Sequence, residues 1–423
     1  MSARVLFVHT TQGDRLTGGP RMIRTLLAGL RGGVIEPCLV TQRESDLTRA
    51  VAADGVAVRV LSLPRSLDVF GGELARPSAL GALRAAGGLL AYDGSFAALL
   101  AEMQPAAVWA TNLRTMLTVA AACRRARVPL VWNVWLGQRS TGVVRVLNDV
   151  AIGAAARIVT EYEAQAAEIF RKAQLSRARP KLRAVYTGHA APPPPAPRRR
   201  APGDRLVVGT LGALSPRKDP QTFVEMAAQL ARDVPAACFV IGGDALPEDA
   251  SYRDELRKVA YRHGLGERLE LAGWIEDPWA FLARLDVYVQ TSRAEGLPGA
   301  VREAMAMGLP VVATDVGGTK EAVAREVTGF LAPAGDAPAL AAGVARIARD
   351  PELAARLGEA GRRRFERLFS SDAFVANMRA LFEELVRRPD DVTAPRPLPS
   401  PESATRPSRR PVPAPASAPR RTS

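Results

Sequence analysis

Only three cysteines and three histidines occur in 423 residues, which leaves little material for metal or disulfide chemistry. Cys38, Cys123 and Cys238 lie far apart and no C-x-x-C occurs, so neither a disulfide framework nor a structural zinc site is expected. Three reduced thiols in a reducing compartment are the expectation instead. Aromatic residues are 5% of the chain, so the core has to be built from Leu, Val, Ile and Ala. No uninterrupted apolar run approaches the roughly 18 residues of a membrane-spanning helix. The opening MSARVLFVHTTQGD reads as a strand rather than a cleaved leader, and a cytoplasmic protein is expected. Interleaved basic and aromatic residues are also missing, which counts against nucleic acid as a partner.

What is present is length, apolar content and an uneven charge. The composition is globular, 47% hydrophobic and 24% charged, and the length suits two or three domains. The net charge is +14, and its distribution is informative. Residues 1–190 hold 24 Lys and Arg against 13 Asp and Glu, whereas residues 201–388 hold 24 against 27. A basic first half suits either a solvated surface or an anionic partner, such as an acceptor at the inner membrane face.

Two low-complexity stretches divide the chain. Residues 191–203, APPPPAPRRRAPG, extend as polyproline II and read as a linker. Residues 389–423, rich in Pro, Ser, Ala and Arg, lack apolar periodicity and read as a disordered tail. Between them strands and helices alternate. RVLFVHT, AVWATN, PLVWNVW and ARIVTEY read as strands of the first half, with helices GGPRMIRTLLAGL and LRTMLTVAAACRRA between them. RLVVGTLG, AACFVIGGD, LELAGW, DVYVQTS, PVVATD and GFLAP are the strands of the second half. Alternation of this kind predicts parallel sheets covered on both faces. Two such domains, 1–190 and 204–388, imply an α/β protein with two Rossmann-like doubly wound domains facing a cleft. The last helix is able to pack back on the first domain. Ligands bind such folds at the carboxyl ends of the strands.

The stretch SRAEGLPGAVREAMAMGLPVVATDVGG leaves one of these strands. Pro298 suits the first position of a helix, and Leu297 before it is held extended. Backbone amides around Gly299 and Ala300 then point out of a helix N-terminus, which favours phosphate. Gly296 and Gly299 let a ligand approach the backbone. Glu295 stands at the loop tip, and Glu303 about 6–8 Å down the helix axis. A diphosphate between two polyhydroxylated groups fits this layout, since carboxylates accept hydrogen bonds from vicinal hydroxyls. Two ordinary exposed acids at a helix end are the alternative.

The E-x7-E spacing of Glu295 and Glu303 within TSRAEGLPGAVREAMAMGLPVVATDVGG closely resembles the signature of the retaining GT-B glycosyltransferases of family 4, the glycosyl transferases group 1. LELAGWIED, FVIGGD and GGPRMIRTLL resemble further segments of that family, and the likeness covers residues 4–388, more closely in the second half. The resemblance implies a nucleotide-diphosphate sugar donor held mainly by the second domain, an acceptor held by the first, and neither metal nor cofactor. Carried onto this chain, it puts Glu295 on hydroxyls of the donor sugar, Glu303 on the ribose and Lys218 on the diphosphate. Gly212, Gly296, Leu297, Pro298 and Gly299 surround the donor, Gly18 and Gly19 approach the phosphates from the first domain, and Ile275 and Asp277 meet the base. Two positions depart from the pattern. Ala213 stands where an arginine is usual, and the neighbouring Arg217 is the replacement, although its adjacent position aims it elsewhere. Trp135 stands where a histidine is usual, so that Trp135 and Trp132 become either stacking surfaces for the acceptor or packing residues. Asn133 and His9 complete the candidate acceptor side, His9 having a structural role as its alternative. His189 reads as a hinge residue and His263 as a surface residue without a role.

The activity implied is transfer of a hexosyl group from a UDP- or GDP-sugar to a glycan, a lipid-linked glycan or a small molecule, as in polysaccharide biosynthesis. A nucleotide-sugar epimerase or hydrolase on the same scaffold is one alternative. A binding protein with a degenerate site, suggested by Ala213 and Trp135, is the other.

Overall fold

The computed structural model describes residues 2–10, 18–64, 67, 79–134, 142–192, 204–245 and 251–387, with the side chains of 79–83 and 85 left aside. Trp135, most of the proline-rich stretch and the tail lie outside the described residues.

The first half forms one parallel sheet from β1 (Ala3–His9), β2 (Ile35–Thr41), β3 (Ala57–Val60), β4 (Ala107–Ala110), β5 (Leu130–Asn133), β6 (Arg157–Thr160) and β7 (Leu182–Ala184), in the order β3-β2-β1-β4-β5-β6-β7. Its helices are α1 (Gly18–Leu30), α2 (Asp46–Ala53), α3 (Ala79–Met103), α4 (Leu113–Ala126), α5 (Gly142–Ala154), α6 (Gln165–Ile169) and α7 (Lys172–Ala178). The second half forms another from β8 (Leu206–Leu211), β9 (Ala237–Gly242), β10 (Leu269–Gly273), β11 (Val287–Gln290), β12 (Val311–Thr314) and β13 (Gly329–Ala332), in the order β10-β9-β8-β11-β12-β13. Its helices are α8 (Pro220–Asp233), α9 (Tyr252–Arg262), α10 (Pro278–Leu282), α11 (Gly299–Ala306), α12 (Thr319–Ala322), α13 (Ala337–Arg349), α14 (Pro351–Leu368) and α15 (Ser371–Arg387).

Both sheets are doubly wound, as the alternation predicts. Central strands such as β4, β5, β11 and β12 are buried along their whole length, because helices cover both sheet faces and no alternate residue meets water. The strand order reverses between β1 and β4 in the first sheet and between β8 and β11 in the second. Each reversal splays the flanking loops apart and opens a crevice at the carboxyl ends of the strands.

α15 crosses back to the first domain. Phe374, Met378, Leu381 and Phe382 join Val5, Phe7 and Trp109 in one core, with the Phe7 and Phe382 rings 5.3 Å apart. Glu384 accepts from the buried Arg157 at 2.7 Å and from Arg183 at 3.3 Å. Two chain segments therefore run between the domains, and they touch. The amide of His189 donates to the Phe369 carbonyl at 2.9 Å, and the Ser371 amide donates to the His189 carbonyl at 3.1 Å. A β-carbon on Gly188 would lie 2.6 Å from the Ser370 carbonyl oxygen, so the crossing requires glycine there. Among the described residues no helix is long and apolar enough to cross a membrane.

Candidate active site

The loops leaving β8 and β11 flank the reversal in the second sheet. They are stitched together. Thr291 Oγ1 donates to the Asp219 carbonyl at 2.8 Å, the Arg293 amide to the Arg217 carbonyl at 2.9 Å, and Arg293 Nε to the Asp219 carboxylate at 2.9 Å. Asp219 also caps α8, bonding the Thr222 amide and hydroxyl from a left-handed backbone with φ of 49°. The result is a rigid mount for the residue just before it, Lys218.

Lys218 Nζ donates to Glu295 Oε1 at 2.6 Å, and the Ser292 hydroxyl donates to the same oxygen at 2.6 Å. Arg217 Nη1 reaches Glu295 Oε2 at 3.3 Å and the Ala294 carbonyl at 3.0 Å. Arg217 is thus not aimed elsewhere: its longer side chain bends back, and both adjacent cations converge on one carboxylate. Glu295 has a side chain only 6% exposed. Burial pushes its carboxyl up, but Lys218, Ser292 and Arg217 outweigh burial and hold it below the ordinary carboxylate value. The lysine stem lies over Gly212, where a β-carbon would be 3.5 Å from Lys218 Cε. Gly212, Ala213, Lys218, Ser292, Pro298 and Ala300 line one cleft.

α11 begins at this cleft. Pro298 precedes the helix with φ of −66° and ψ of 118°, one residue earlier than the sequence suggests, while Leu297 is buried in the core beneath. Gly296 is exposed and Gly299 partly so. Glu303, one turn along, lies with Oε1 3.4 Å from His189 Nδ1. A β-carbon on Gly299 would lie 3.4 Å from the His189 ring. His189 is therefore more than a hinge residue. It sits in the crossing between the domains and covers part of the first turn of α11. Burial, and then the Arg302 charge, push its imidazole down, against the pull of Glu303.

Ile275 and Asp277 follow β10 at the edge of the same sheet. Ile275 packs beneath Gly242, and Asp277 caps α10 by accepting from the Trp279 and Ala280 amides at 2.9 and 3.1 Å. In the first domain, a β-carbon on Gly18 or Gly19 at the start of α1 would meet no atom within 4 Å, so packing does not call for glycine at either. His9 ends β1 with Nδ1 3.0 Å from Thr111 Oγ1, and burial pushes its pKa down to about 4. Asn133 ends β5, fully buried, and among the described residues neither of its side-chain amide atoms has a hydrogen-bond partner. Trp132 is buried against Phe170, ring centroids 5.8 Å apart. It is a packing residue and offers no stacking surface to a ligand. His263 is exposed where α9 ends.

Three further residues join the site without having been singled out from the sequence. Arg302, 4% exposed on α11, donates to the carbonyls of Thr187, Leu297 and Pro298. It thereby ties the helix to the first domain. Its one signal is a charge on an otherwise apolar helix face. Glu161 follows β6 and brings Oε2 to 3.6 Å from the position of a β-carbon on Gly296. Burial pushes this carboxyl up, only partly offset by Arg302. Glu321, on α12, accepts from the Glu163 and Ala164 amides of the first domain at 2.7 and 2.9 Å and from the Tyr186 hydroxyl at 3.2 Å.

Residues 196–364 match the family model for Glycosyl transferases group 1. The chain is 33% identical over 172 residues to the lipopolysaccharide core biosynthesis glycosyltransferase LpsE of Rhizobium meliloti, covering 41% of this chain and 48% of that protein. It is 34% identical over 170 residues to the GDP-mannose-dependent alpha-(1-6)-phosphatidylinositol monomannoside mannosyltransferase of Mycolicibacterium smegmatis, covering 38% and 43%. The chain thus spans about half the length of the curated relatives it matches. In structure it is similar to Anabaena Alr3699/HepE in complex with UDP, with a TM-score of 0.69 at 20% identity over 90% of this chain and 100% of that one.

Proposed function

We propose that the chain is a retaining glycosyltransferase of the glycosyl transferases group 1, the family whose model residues 196–364 match, on a GT-B scaffold. It moves a hexosyl group from a UDP- or GDP-linked sugar to a glycan, lipid-linked glycan or small-molecule acceptor held by residues 1–190. The observation that carries this reading is the convergence of Lys218 and Arg217 on Glu295 beside the first turn of α11, at the reversal of the second sheet.

The donor diphosphate lies against the α11 amides and the Lys218 ammonium, whose remaining N–H donors are available to phosphate oxygens. Glu295 accepts from hydroxyls of the sugar, and Glu303 from the ribose. Gly212, Gly296, Gly18 and Gly19 keep side chains away from the diphosphate, and the base lies toward Ile275 and Asp277. As the bond from the anomeric carbon to phosphate breaks, negative charge grows on the leaving oxygen. Lys218, Arg217 and the helix start stabilise it. The acceptor oxygen bonds to the same face of the anomeric carbon and its proton passes to the leaving phosphate. His9 and Trp135 form the acceptor side, and Asn133 is assigned to it by its place at the carboxyl end of β5. The name of the Mycolicibacterium relative, a GDP-mannose donor and a phosphatidylinositol mannoside acceptor, supports a nucleotide-linked hexose and a lipid-linked acceptor. A binding-only protein is suggested by Ala213, but Arg217 supplies a second cation at the carboxylate and favours turnover.

Thermal-shift screening against UDP-, GDP-, ADP- and TDP-sugars identifies the donor by a raised melting temperature. With that donor, Lys218→Ala is expected to lower kcat by about 100-fold or more, the usual loss for one preorganised donor to a developing charge. Unchanged turnover in Lys218→Ala and in Glu295→Ala would sink the assignment.

A further inference from the structure

Helix α5 buries Asn148, Ala151 and Ile152, yet its opposite face is apolar as well. Val143, Val146 and Val150 are 57%, 54% and 52% exposed. Steps of three and four residues place all three within about 60° of one another around a helix of 3.6 residues per turn. One exposed valine is ordinary, but three in register on a single face form an apolar stripe that asks for a partner.

The surroundings of the stripe are cationic. Arg145 is exposed on α5 itself. α7 is fastened alongside, Gln174 Nε2 donating to the Arg145 carbonyl at 2.9 Å and Arg177 Nη1 to Asp149 Oδ1 at 2.7 Å. That second helix brings the exposed Lys172 and Arg177, with the exposed Arg171 and Arg179 at its two ends. Lys181 closes the far end of α5, donating to the Ile152 carbonyl at 2.8 Å. Asp149 is the only acid on α5, and Arg177 neutralises it.

We propose that this face of the first domain docks on an anionic lipid surface. The valines enter the boundary between headgroups and acyl chains, while the arginines and lysines meet lipid phosphates. Long cationic side chains suit this task because their stems lie along apolar surface as their heads reach the anions. A protein partner, including a second copy of this chain, is the poorer match, since a rim of one sign needs an oppositely charged counterpart that this chain's own stripe does not carry. α5 follows the carboxyl end of β5, the end that opens on the cleft, so docking brings the acceptor side of the cleft to the membrane. The inference deepens the proposed function by giving a lipid-linked acceptor its route, but the docking itself needs no turnover.

The test is flotation of the full chain with vesicles of phosphatidylcholine alone and with a third phosphatidylglycerol, at low and at high salt. The expected result is binding to the anionic vesicles only, weakened at high salt. V143D/V146D/V150D is expected to reduce binding at least tenfold, and Lys172→Glu with Arg179→Glu several-fold, with melting temperatures unchanged because all these side chains are exposed and none of them holds α7 to α5. Both variants keep the basic tail, so the loss belongs to this face. Val146→Trp is expected to shift its emission to the blue on anionic vesicles. Equal binding by the triple variant and the wild type overturns the proposal, as does the absence of vesicle binding by the wild type. A wild-type dimer that the triple variant dissociates also overturns it, in favour of an interface between copies. Thermal shift of the triple variant with nucleotide-sugars reads the donor site separately, so either reading can fail without the other.

Discussion

His9 and Glu295 show how one residue's surroundings set its charge. Glu295 is buried with cations and stays ionised. His9 is buried with only a threonine hydroxyl beside its Nδ1, and stays neutral. A folded-state value of about 4 against an ordinary value near 6.5 means that the unfolded chain takes up a proton first as the pH falls. Stability is therefore lost on going from about pH 6.5 down to about 4, by about 3 kcal/mol at most. His9→Gln, which cannot titrate, is expected to flatten that part of the melting-temperature profile. Equal slopes for variant and wild type would show that His9 is not the group responsible. The three residues the sequence did not disclose have a common reason. Glu321 bonds to an amide 158 positions away, Arg302 to a carbonyl 115 positions away, and Glu161 lies opposite a loop in the other domain. Nothing in their neighbours along the chain announces such partners. Glu295 was legible because its local setting, a strand end followed by Gly, Pro and a helix, has a chemical meaning by itself.

At the scale of elements, legibility followed uninterrupted apolar runs rather than burial itself, since β2 is almost wholly buried but broken by Pro37. Central strands β1, β4, β5, β8, β11 and β12 are runs of apolar residues and could be read directly. β2 carries Pro37 inside it, β3 is mostly exposed at the sheet edge, and β7 has three residues. None of the three has a pattern that separates it from a loop. The crevice also depends on a glycine that no sequence pattern sets apart from its neighbour Gly242. Gly243 leaves β9 with φ of 124°, and a β-carbon there would collide with the carbonyl oxygen of Gly212. Gly243→Ala is therefore strained twice, by its backbone and by the clash. To relieve the clash Gly212 has to move, and Lys218 lies over Gly212. We expect a loss of about 1–3 kcal/mol in denaturant unfolding together with weaker donor binding in thermal shift. Gly18→Ala, where a β-carbon meets nothing, is the control for stability and is expected to leave unfolding unchanged. A stable Gly243→Ala that binds donor normally would show that the β8 loop does not need this support.

At the scale of the molecule, the two domains meet through a pivot and a clasp. The pivot is the crossing of residues 188–189 with 369–371, tight enough to need Gly188 and flanked by the Phe369 ring against Tyr186, 5.2 Å between centroids. α15 travels with the first domain, so opening about this pivot leaves its core undisturbed. The clasp is Glu321, a carboxylate of the second domain that accepts two amides and a hydroxyl of the first. Hydrogen bonds to a charged group are worth about 1.5–3 kcal/mol each, enough to bias a domain equilibrium although not to fold a domain. Arg364 steadies the clasp from behind, donating to the Glu321 and Ala322 carbonyls at 2.7 and 2.9 Å. Glu321→Ala removes the clasp and leaves the pivot, Arg302 and both cores in place. The expected outcome is a larger radius of gyration in solution scattering and a donor affinity reduced several-fold, because binding then has to close the lobes. Donor should restore the compact scattering profile, since ligand binding draws the open population back. Were Glu321→Ala to scatter like the wild type without donor, the carbonyls held by Arg302 and the crossing itself would be sufficient to keep the lobes together, and the clasp would have no part in closure.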